Sequence, residues 1–184
     1  MKSYLITDPS FYGSSRDSLE SSLNAVLSKT IPDFALFRDK QTSDYPILAQ
    51  SFIRVCRSYG ISKVLLHGDY TLAKGLGADG VHLTGTQFDE IAEAKKQGLY
   101  VVISTHTHDE ALKAQELGAD AITYSPIFFS PAKGEPKGLE DLKEIVDKIR
   151  VPIFALGGIT ACEQINAVST TGAYGFASIR YFIP

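Results

Sequence analysis

Short runs of apolar and β-branched residues recur along the chain, and polar stretches with helical spacing separate them. Hydrophobicity within each run is nearly continuous rather than alternating, which is typical of strands buried on both faces of a parallel sheet. The runs are SYLIT from residue 3, DFALFRD from 33, SKVLLHG from 62, DGVHL from 79, YVVIST from 100, DAITYS from 120, VPIFALGG from 151 and GAYGFASI from 172. The pattern therefore predicts eight parallel strands.

Helical periods lie between the runs. In DYPILAQSFIRVCRSYG, from residue 44, the side chains of Ile47, Leu48, Phe52, Val55 and Cys56 form one apolar stripe. The joins GLGADGVHL, ELGADAITY and TTGAYGFAS share one pattern, in which a glycine ends a helix and a small alanine leads into the next strand. Such repetition indicates a repeated βα unit.

Eight repeated βα units predict an α/β fold of the (β/α)8 TIM-barrel class, in a single domain over residues 1–184. Only RYFIP follows the eighth run, so we expect a short form that lacks the final helix. A loop or a partner subunit, as in a homodimer, is then expected to cover the apolar surface left there. The alternative is an open doubly wound sheet, but no GxGxxG follows the first run.

Composition and charge narrow the classes of function. A formal net charge of -3 and a hydrophobic content of 44% leave no basic stripe, which favours a small-molecule ligand over nucleic acid. The chain shows neither a signal-peptide core nor an apolar run of about 18 residues, which predicts a cytoplasmic protein without a membrane span. Cys56 and Cys162 lie outside any CxxC pattern, so we interpret both as helix residues.

Functional side chains of (β/α)8 barrels lie where the strands end, and the second run ends in Arg38, Asp39 and Lys40. Arg38 and Lys40 are two residues apart, so in an extended strand they point to the same side. Two cations placed in this way suit an anionic ligand. The alternative interpretation is a solvated, charged turn.

The third to fifth runs end in histidine and hydroxyl groups. His67 ends the third run, and Asp69 is expected to cap the short helix after it. His82 lies inside the fourth run and is expected to face a wall or the core. Ser104 and His106 follow the fifth run and are candidates for substrate contact, whereas the polar residues after them are explained by a helix start.

The seventh and eighth runs predict a phosphate site. Gly157 and Gly158 follow the seventh run, and a helix is expected to begin near Thr160, so backbone N–H groups can meet an anion there. Ser178 ends the eighth run, and the loops after strands 7 and 8 are the recurrent phosphate site of these barrels. A plain tight turn is the alternative explanation of the glycine pair.

The segment YSPIFFSPAKGEPKG, residues 124–138, is far longer than the usual connection of about 4 to 6 residues. Connections of this length are usually lids, binding loops or disordered segments. As the loop after the sixth strand, the segment is expected to carry Lys133 over the barrel mouth as a mobile lid, and Pro126, Pro131 and Pro136 limit its conformations.

Taken in order, FRDK, GADGVHL, ISTHT, GAD followed by SPIFFSPAKG, IFALGGI and GFASI resemble the thiamin phosphate synthase / TenI-like superfamily, from Arg38 to the C-terminus. Each motif is modest, but the ordered set is specific. The resemblance implies a (β/α)8 barrel and a transferase of thiamin biosynthesis. Such a synthase couples a pyrimidine diphosphate to a thiazole phosphate and releases pyrophosphate with the help of Mg2+. The TenI-like relatives bind the thiazole phosphate, and some tautomerise it.

The resemblance also implies residue roles. Arg38 and Lys40 match the family's Arg-x-Lys pair, which faces the diphosphate. Ser104 matches the serine of its S-x-H segment, and Lys133 matches the lysine of its strand 6 loop, in which Ser130 replaces a threonine. Cations placed there would stabilise the pyrophosphate leaving group.

Three further residues match the family's cradle for the thiazole phosphate, namely Gly157, Gly158 and Ser178. The predicted catalytic residues are therefore Arg38, Lys40, Ser104 and Lys133. The predicted substrate-binding residues are His67, His106, Ser130, Gly157, Gly158 and Ser178.

The chain departs from the family where the metal is held. Synthases carry Asn-Asp after strand 3 and G-Q-E-D after strand 4, whereas this chain has HG from residue 67 and TGTQ from residue 84. The missing acids hold Mg2+ in the family, and Asp69 and Asp89 are shifted in register. The resemblance thus implies Mg2+ as a cofactor without the usual ligands, and we leave the metal ligands unassigned.

Other functions stay open. A TenI-like thiazole tautomerase would carry a histidine where this chain has Ser125, and His67 or His106 would have to replace it. A non-catalytic thiazole-phosphate binder or regulator needs no such group, and a phosphosugar-type barrel enzyme is a more distant alternative. We favour the synthase because three cations suited to a diphosphate are retained, and we expect small phosphorylated substrates as its partners.

Overall fold

A computed structural model describes residues 1–131 and 133–183 of the chain. Eight parallel strands follow one another around a closed barrel, and β8 pairs with β1 to complete it. The (β/α)8 prediction is confirmed. The strands are β1 (Lys2–Ile6), β2 (Phe34–Phe37), β3 (Lys63–His67), β4 (Gly80–Leu83), β5 (Tyr100–Thr105), β6 (Ala121–Tyr124), β7 (Ile153–Leu156) and β8 (Gly175–Ser178).

Helices connect each strand to the next on the outside of the barrel. A short 3-10 turn, Phe88–Glu90, precedes the helix between β4 and β5. The helices are α1 (Pro9–Tyr12), α2 (Arg16–Leu27), α3 (Tyr45–Ser58), α4 (Tyr70–Gly75), α5 (Ile91–Lys96), α6 (His108–Glu116), α7 (Gly138–Lys148) and α8 (Cys162–Ser169). None of these described helices is long and apolar enough to cross a membrane.

Several helix starts follow from the sequence. Asp69 caps α4 by accepting the N–H of Leu72 at 2.8 Å, as expected. Thr107 caps α6 in the same way, through a 3.1 Å hydrogen bond from the N–H of Glu110. Each cap satisfies an N–H group that has no partner within its own helix, so the helix can begin directly after a strand end.

Alternating residues of the strands build two apolar layers, which explains why the runs are almost continuously hydrophobic. One layer lies between the strands and the helices. The other fills the barrel interior and consists of Tyr4, Ile6, Phe34, Leu36, Leu65, Val102, Ala121, Phe154 and Ala177. The interior layer closes the barrel below the carboxyl ends of its strands. A ligand bound at those ends therefore lies against this layer.

The tail after β8 covers the surface that a final helix would cover. No helix follows β8 within residues 179–183. The ring of Phe182 stacks on Phe176 with centroids 6.0 Å apart, and Tyr181 packs edge-on against Phe176 at 5.2 Å. Phe176 is consequently buried, so a loop of the same chain fulfils the expected covering role at this position. A homodimer stays a prediction.

The two cysteines lie in helices, as predicted. Cys56 is buried in α3, and Cys162 is exposed at the start of α8; both are free thiols.

Candidate active site

One cavity of about 290 Å³ opens at the carboxyl ends of the strands. Every strand, or the loop directly after it, contributes to its wall. All ten residues predicted from the sequence line this cavity: Arg38, Lys40, His67, Ser104, His106, Ser130, Lys133, Gly157, Gly158 and Ser178. The structure therefore brings them together, while the role of each stays a prediction.

The cavity wall is basic. Arg38, Lys40 and Lys133 line it together with Arg180, which sequence reasoning did not single out although it follows Ser178 by two residues. No aspartate or glutamate among the described residues lines the cavity. The nearest partner of these cations is Asp8, whose carboxylate lies 3.3 Å from the Arg38 guanidinium. This charge distribution suits an anionic ligand such as a phosphate or diphosphate.

The second strand end shows how the chain separates its charges. Arg38 and Lys40 line the cavity, whereas Asp39 between them is buried. The Asp39 carboxylate accepts the backbone N–H of Gln41 at 2.8 Å and that of Thr42 at 3.1 Å. The alternative interpretation of this segment as a turn therefore applies to Asp39, whose side chain stabilises the loop. The flanking cations, Arg38 and Lys40, line the cavity instead.

Gly157 and Gly158 admit the strand 6 loop into close contact. Their φ angles are 102° and 70°, a region that residues with a Cβ rarely adopt. A Cβ on Gly157 would lie 2.7 Å from the Cα of Pro126, and one on Gly158 would lie 2.4 Å from the carbonyl oxygen of Phe129. Close packing alone is therefore enough to require glycine at both positions.

The same two glycines also leave N–H groups for a ligand. Within residues 1–131 and 133–183, the amides of Gly157, Gly158, Ile179 and Arg180 donate to no protein acceptor. The first turn of α8 is different, because Gln164 Oε1 accepts the N–H of Thr160 at 2.7 Å and of Ala161 at 3.0 Å.

The expected helix start near Thr160 is confirmed to within two residues, but the amides of Thr160 and Ala161 are not left for an anion as expected. The helix α8 begins at Cys162, because the Gln164 side chain holds the two preceding amides in a cap instead of leaving them for an anion. The amides left for a phosphate are therefore those of Gly157 and Gly158, after β7, and those of Ile179 and Arg180, after β8.

The Ser178 hydroxyl joins the two loops that carry these amides. It donates to the carbonyl oxygen of Ile159 at 2.6 Å and accepts the N–H of Tyr181 at 3.1 Å. The hydroxyl proton of Ser178 is therefore donated within the protein and is not available to a ligand. Ser178 shapes the predicted cradle, and the amides of Ile179 and Arg180 beside it are the groups left to bind.

The strand 6 loop is anchored at both ends. The N–H groups of Ile127 and Phe128 donate to Leu156 and Gly157 at 2.9 and 3.0 Å. On its far side, the N–H of Lys137 donates to the carbonyl oxygen of Pro126 at 2.9 Å. Within the loop, the N–H of Lys133 donates to Ser130 at 3.1 Å, and both residues line the cavity.

His67 carries an unsatisfied atom at the cavity. Its ring Nδ1 is buried and has no hydrogen-bond partner among the described residues. Burial, and then the charges of Arg38 and Lys40, lower the pKa of His67 to about 4, so the ring is neutral at neutral pH. A buried polar atom without a partner at the wall of a cavity is the contact that a ligand or water would complete.

His82 faces the barrel interior, as predicted, but it also contacts the site. Its Nδ1 lies 2.9 Å from the Tyr4 hydroxyl and its Nε2 lies 3.0 Å from Ser104 Oγ. Burial, and then His67 and Arg38, lower its pKa to about 3. The signal that could have found this contact is the period of two: His82 pairs with Val102, which also points inward, and Ser104 is the next inward residue of β5.

The described residues contain no cluster of side chains that could hold a metal ion without substrate. They contain no group of three or more His, Cys, Asp or Glu side chains placed to hold a metal ion. Asp69 is engaged as the cap of α4, and Asp89 lies in the 3-10 turn outside the cavity wall. Since Mg2+ requires oxygen ligands and this wall offers cations, the residues do not fit a protein-held Mg2+.

The closed barrel and its basic upper cavity define a (β/α)8-barrel protein whose site suits phosphorylated ligands. The chain belongs to the thiamine monophosphate synthase family, whose model matches residues 3–182. The resemblance found in the motifs is thereby confirmed over nearly the whole chain.

Named relatives agree with this assignment. A protein of Aquifex aeolicus with the provisional name thiamine-phosphate synthase 2 is 34% identical over 185 residues. The match covers 98% of this chain and 96% of that protein. The thiamine-phosphate synthase of Clostridium novyi is 33% identical over 184 residues, covering 97% and 88%. Among solved structures, thiamine phosphate pyrophosphorylase from Pyrococcus furiosus superposes with a TM-score of 0.83 and 26% identity, covering 97% of this chain and 85% of that one.

Proposed function

We propose that this protein is a thiamine-phosphate synthase, which joins a pyrimidine diphosphate to a thiazole phosphate and releases pyrophosphate. One observation carries the proposal: the three cations suited to a diphosphate and the two glycines suited to a phosphate line the same cavity. Family membership supports it, because full-length relatives carry the name of this enzyme.

The diphosphate lies against Arg38, Lys40 and Lys133 in this proposal. As the bond to the pyrimidine breaks, negative charge accumulates on the leaving pyrophosphate, and fixed cations stabilise it. Lys133 reaches the cavity from the strand 6 loop, so this loop also closes over the leaving group. His67 stays neutral beside these cations and offers its free Nδ1 to the same substrate.

The thiazole phosphate lies against the amides of Gly157, Gly158, Ile179 and Arg180. Backbone N–H groups bind a phosphate without exchanging protons with it, which orients the nucleophilic ring. The Arg180 guanidinium adds the charge that neutral amides lack. Ser104, His106 and Ser130 then line the space between the two anionic groups.

The metal expected from the resemblance has no protein ligands among the described residues, and no step of the proposed reaction is assigned to it. The proposed binding of the diphosphate rests on side-chain cations alone.

A thiazole tautomerase has weaker support. The position of its histidine is held by Ser125, and a pKa of about 4 makes His67 a poor group for moving protons near neutral pH. A non-catalytic binder remains the main competitor, and only an assay of turnover separates it from the synthase.

The test is pyrophosphate release from the purified protein mixed with both substrates, with Mg2+ present and with Mg2+ chelated. We expect release in wild type and its loss in Arg38→Ala and Lys133→Ala. Lys143→Ala is the matched control, because Lys143 is exposed on α7 and pairs with Asp147 away from the cavity. No release by the wild type, while a reference synthase turns over, would refute the proposal.

A further inference from the structure

A buried chain of hydrogen bonds runs from the barrel interior to the cavity. The Tyr4 hydroxyl contacts His82 Nδ1 at 2.9 Å, and His82 Nε2 contacts Ser104 Oγ at 3.0 Å. Tyr4 is fully buried outside the cavity, whereas His82, although only 2% exposed, lines the cavity together with Ser104. The proposed function uses Ser104 but gives neither of the two buried residues a task.

We propose that Tyr4 fixes the tautomer of His82 and thereby presents the Ser104 hydroxyl to the cavity as a hydrogen-bond donor. Tyr4 and His82 are then positioning residues, and Ser104 is the catalytic residue that touches substrate. The tautomer follows from the structure of the chain by itself; its effect on turnover rests on the proposed synthase reaction.

The charge of His82 determines how many hydrogen bonds the ring can donate. Because the ring is neutral, it carries one N–H and one unprotonated nitrogen, so it can donate only one of its two hydrogen bonds. If Nδ1 carried the proton, it would donate to the Tyr4 oxygen. The Tyr4 proton would then have no acceptor, since Nδ1 is the partner of that hydroxyl among the described residues.

Tyr4 has no access to water that could accept its proton instead, since it is 0% exposed. Leaving a buried donor without a partner corresponds to an equilibrium factor of about five- to 150-fold. The Tyr4 hydroxyl therefore donates to an unprotonated Nδ1, and the proton of His82 lies on Nε2.

An Nε2–H group donates to Ser104 Oγ, so the Ser104 hydroxyl accepts from His82 and keeps its own proton. Thr123 does not compete strongly, because its Oγ1 lies 3.5 Å from Nε2, at the limit of a hydrogen bond. Among the described residues Ser104 Oγ has no acceptor for its proton other than what enters the cavity. A ligand atom with a lone pair is what this hydroxyl is oriented to meet.

The surroundings hold this arrangement rigidly. The Tyr4 ring stacks near His82 with centroids 5.8 Å apart and packs edge-on against Phe154 at 5.2 Å. Phe34 packs on its other side at 5.6 Å. Because large interior rings limit rotation of the tyrosine ring, the position of its oxygen is fixed before substrate binds, and its hydrogen bond with His82 Nδ1 sets the direction of the O–H bond.

The first experiment needs no substrate. Proton–nitrogen correlation NMR of the ligand-free, ring-labelled protein at pH 7 reports which His82 nitrogen carries the proton. We expect a protonated Nε2 and an unprotonated Nδ1. A protonated Nδ1 in the wild type would overturn the proposal, whatever reaction the protein catalyses.

The second experiment removes the Tyr4 hydroxyl. Tyr4→Phe is expected to shift His82 toward a mixture of tautomers, while an unchanged spectrum would show that Tyr4 does not set the tautomer. Tyr12→Phe is the matched control, because Tyr12 is equally buried but its hydroxyl has no partner in the described part of the chain and lies outside the cavity. The wild-type spectrum stays decisive if Tyr4→Phe folds poorly.

The third experiment separates positioning from stability. In the synthase assay, Tyr4→Phe is expected to lower kcat about fivefold with KM nearly unchanged, as loss of one hydrogen bond would do. In a Ser104→Ala background the same change is expected to have no further effect, because the hydroxyl it orients is gone. Additive losses in kcat would overturn the proposed path through Ser104, whereas absence of turnover in the wild type refutes the synthase proposal instead.

Discussion

Gln87 Nε2 donates a 2.7 Å hydrogen bond to the carbonyl oxygen of Gly68, which ties the loop after β4 to the loop after β3. The other end of the same amide, Oε1, accepts the N–H of Thr84 at 2.9 Å. These are the two loops whose acids hold Mg2+ in the family that the sequence resembles. In this chain a neutral amide joins them directly. No carboxylate among the described residues lines the cavity beside its cations.

Pyrophosphate is therefore expected to bind without a divalent metal. Calorimetric titration in the presence of a chelator should detect binding, because Arg38, Lys40 and Lys133 supply the charge that complements the anion. Arg38→Ala should weaken this binding by about tenfold or more, as expected for a hydrogen bond between charged groups. Binding that is detectable only with Mg2+ would show that the three cations do not suffice and that the anion binds together with the metal.

Gln87→Glu tests the bridge between the two loops. The change keeps the shape of the side chain but replaces the donor to Gly68 and to the Glu90 carboxylate by a carboxylate oxygen, which then faces a carbonyl and a second carboxylate. We expect the free energy of unfolding to fall by about 1–3 kcal/mol, the usual cost of an unsatisfied polar pair. Urea denaturation measures it, and Gln50→Glu, at an exposed position of α3, should change stability little. Equal effects of the two substitutions would show that the bridge contributes nothing.

Arg180→Ala tests the part of the site that sequence reasoning missed. The guanidinium is expected to bind the thiazole phosphate beside the amides after β8, so its loss should weaken binding of that compound by about tenfold or more. Affinity for pyrophosphate should change less, because Arg38, Lys40 and Lys133 remain. Arg150→Ala is the control, since Arg150 precedes β7 at the opposite end of the barrel. Unchanged affinity for the thiazole phosphate in Arg180→Ala would remove Arg180 from the site.

The barrel and its cations could be predicted from the sequence because both depend on local patterns. Continuous apolar runs mark strands buried on two faces, and the ends of such strands converge, so the amino-acid order alone places Arg38 and Lys40 at a common site. The contacts of Ser178 and the contact between His82 and Tyr4 could not be predicted, because they depend on loop paths and on which inward residues meet across the barrel. The use of the Thr160 and Ala161 amides was missed for a similar reason: both donate to the folded-back side chain of Gln164.

Gly158→Ala tests whether close packing explains the glycine pair. A methyl group there would lie 2.4 Å from the carbonyl oxygen of Phe129, and the backbone would hold a φ of 70° that alanine adopts at a cost. The free energy of unfolding should therefore fall by about 2 kcal/mol or more. Gly75→Ala in α4 meets no atom within 4 Å and should be neutral or stabilising by up to about 1 kcal/mol. A stable Gly158→Ala protein that has lost only phosphate binding would favour a purely functional role.

The two cavity-side histidines predict how stability depends on pH. The pKa values of His67 and His82 are lowered to about 4 and about 3, below the usual value near 6.5 for an unfolded chain. Between pH 6.5 and 4 the unfolded state therefore binds protons that the native state does not, so stability falls as the pH falls. Each histidine contributes up to about 1.4 kcal/mol per pH unit in this window.

Urea denaturation of the ligand-free protein between pH 5 and 7 measures this dependence. His67→Gln should reduce the slope by about the contribution of one histidine, because the substituted side chain does not titrate. Glu20, whose pKa is lowered to about 2 by its hydrogen bonds with Arg16 and Arg54, acts mainly below this range. Above about pH 8 both histidines are almost fully neutral in either state, so wild type and variant should show the same slope there. A slope that His67→Gln leaves unchanged would mean that this imidazole is not held neutral beside Arg38 and Lys40.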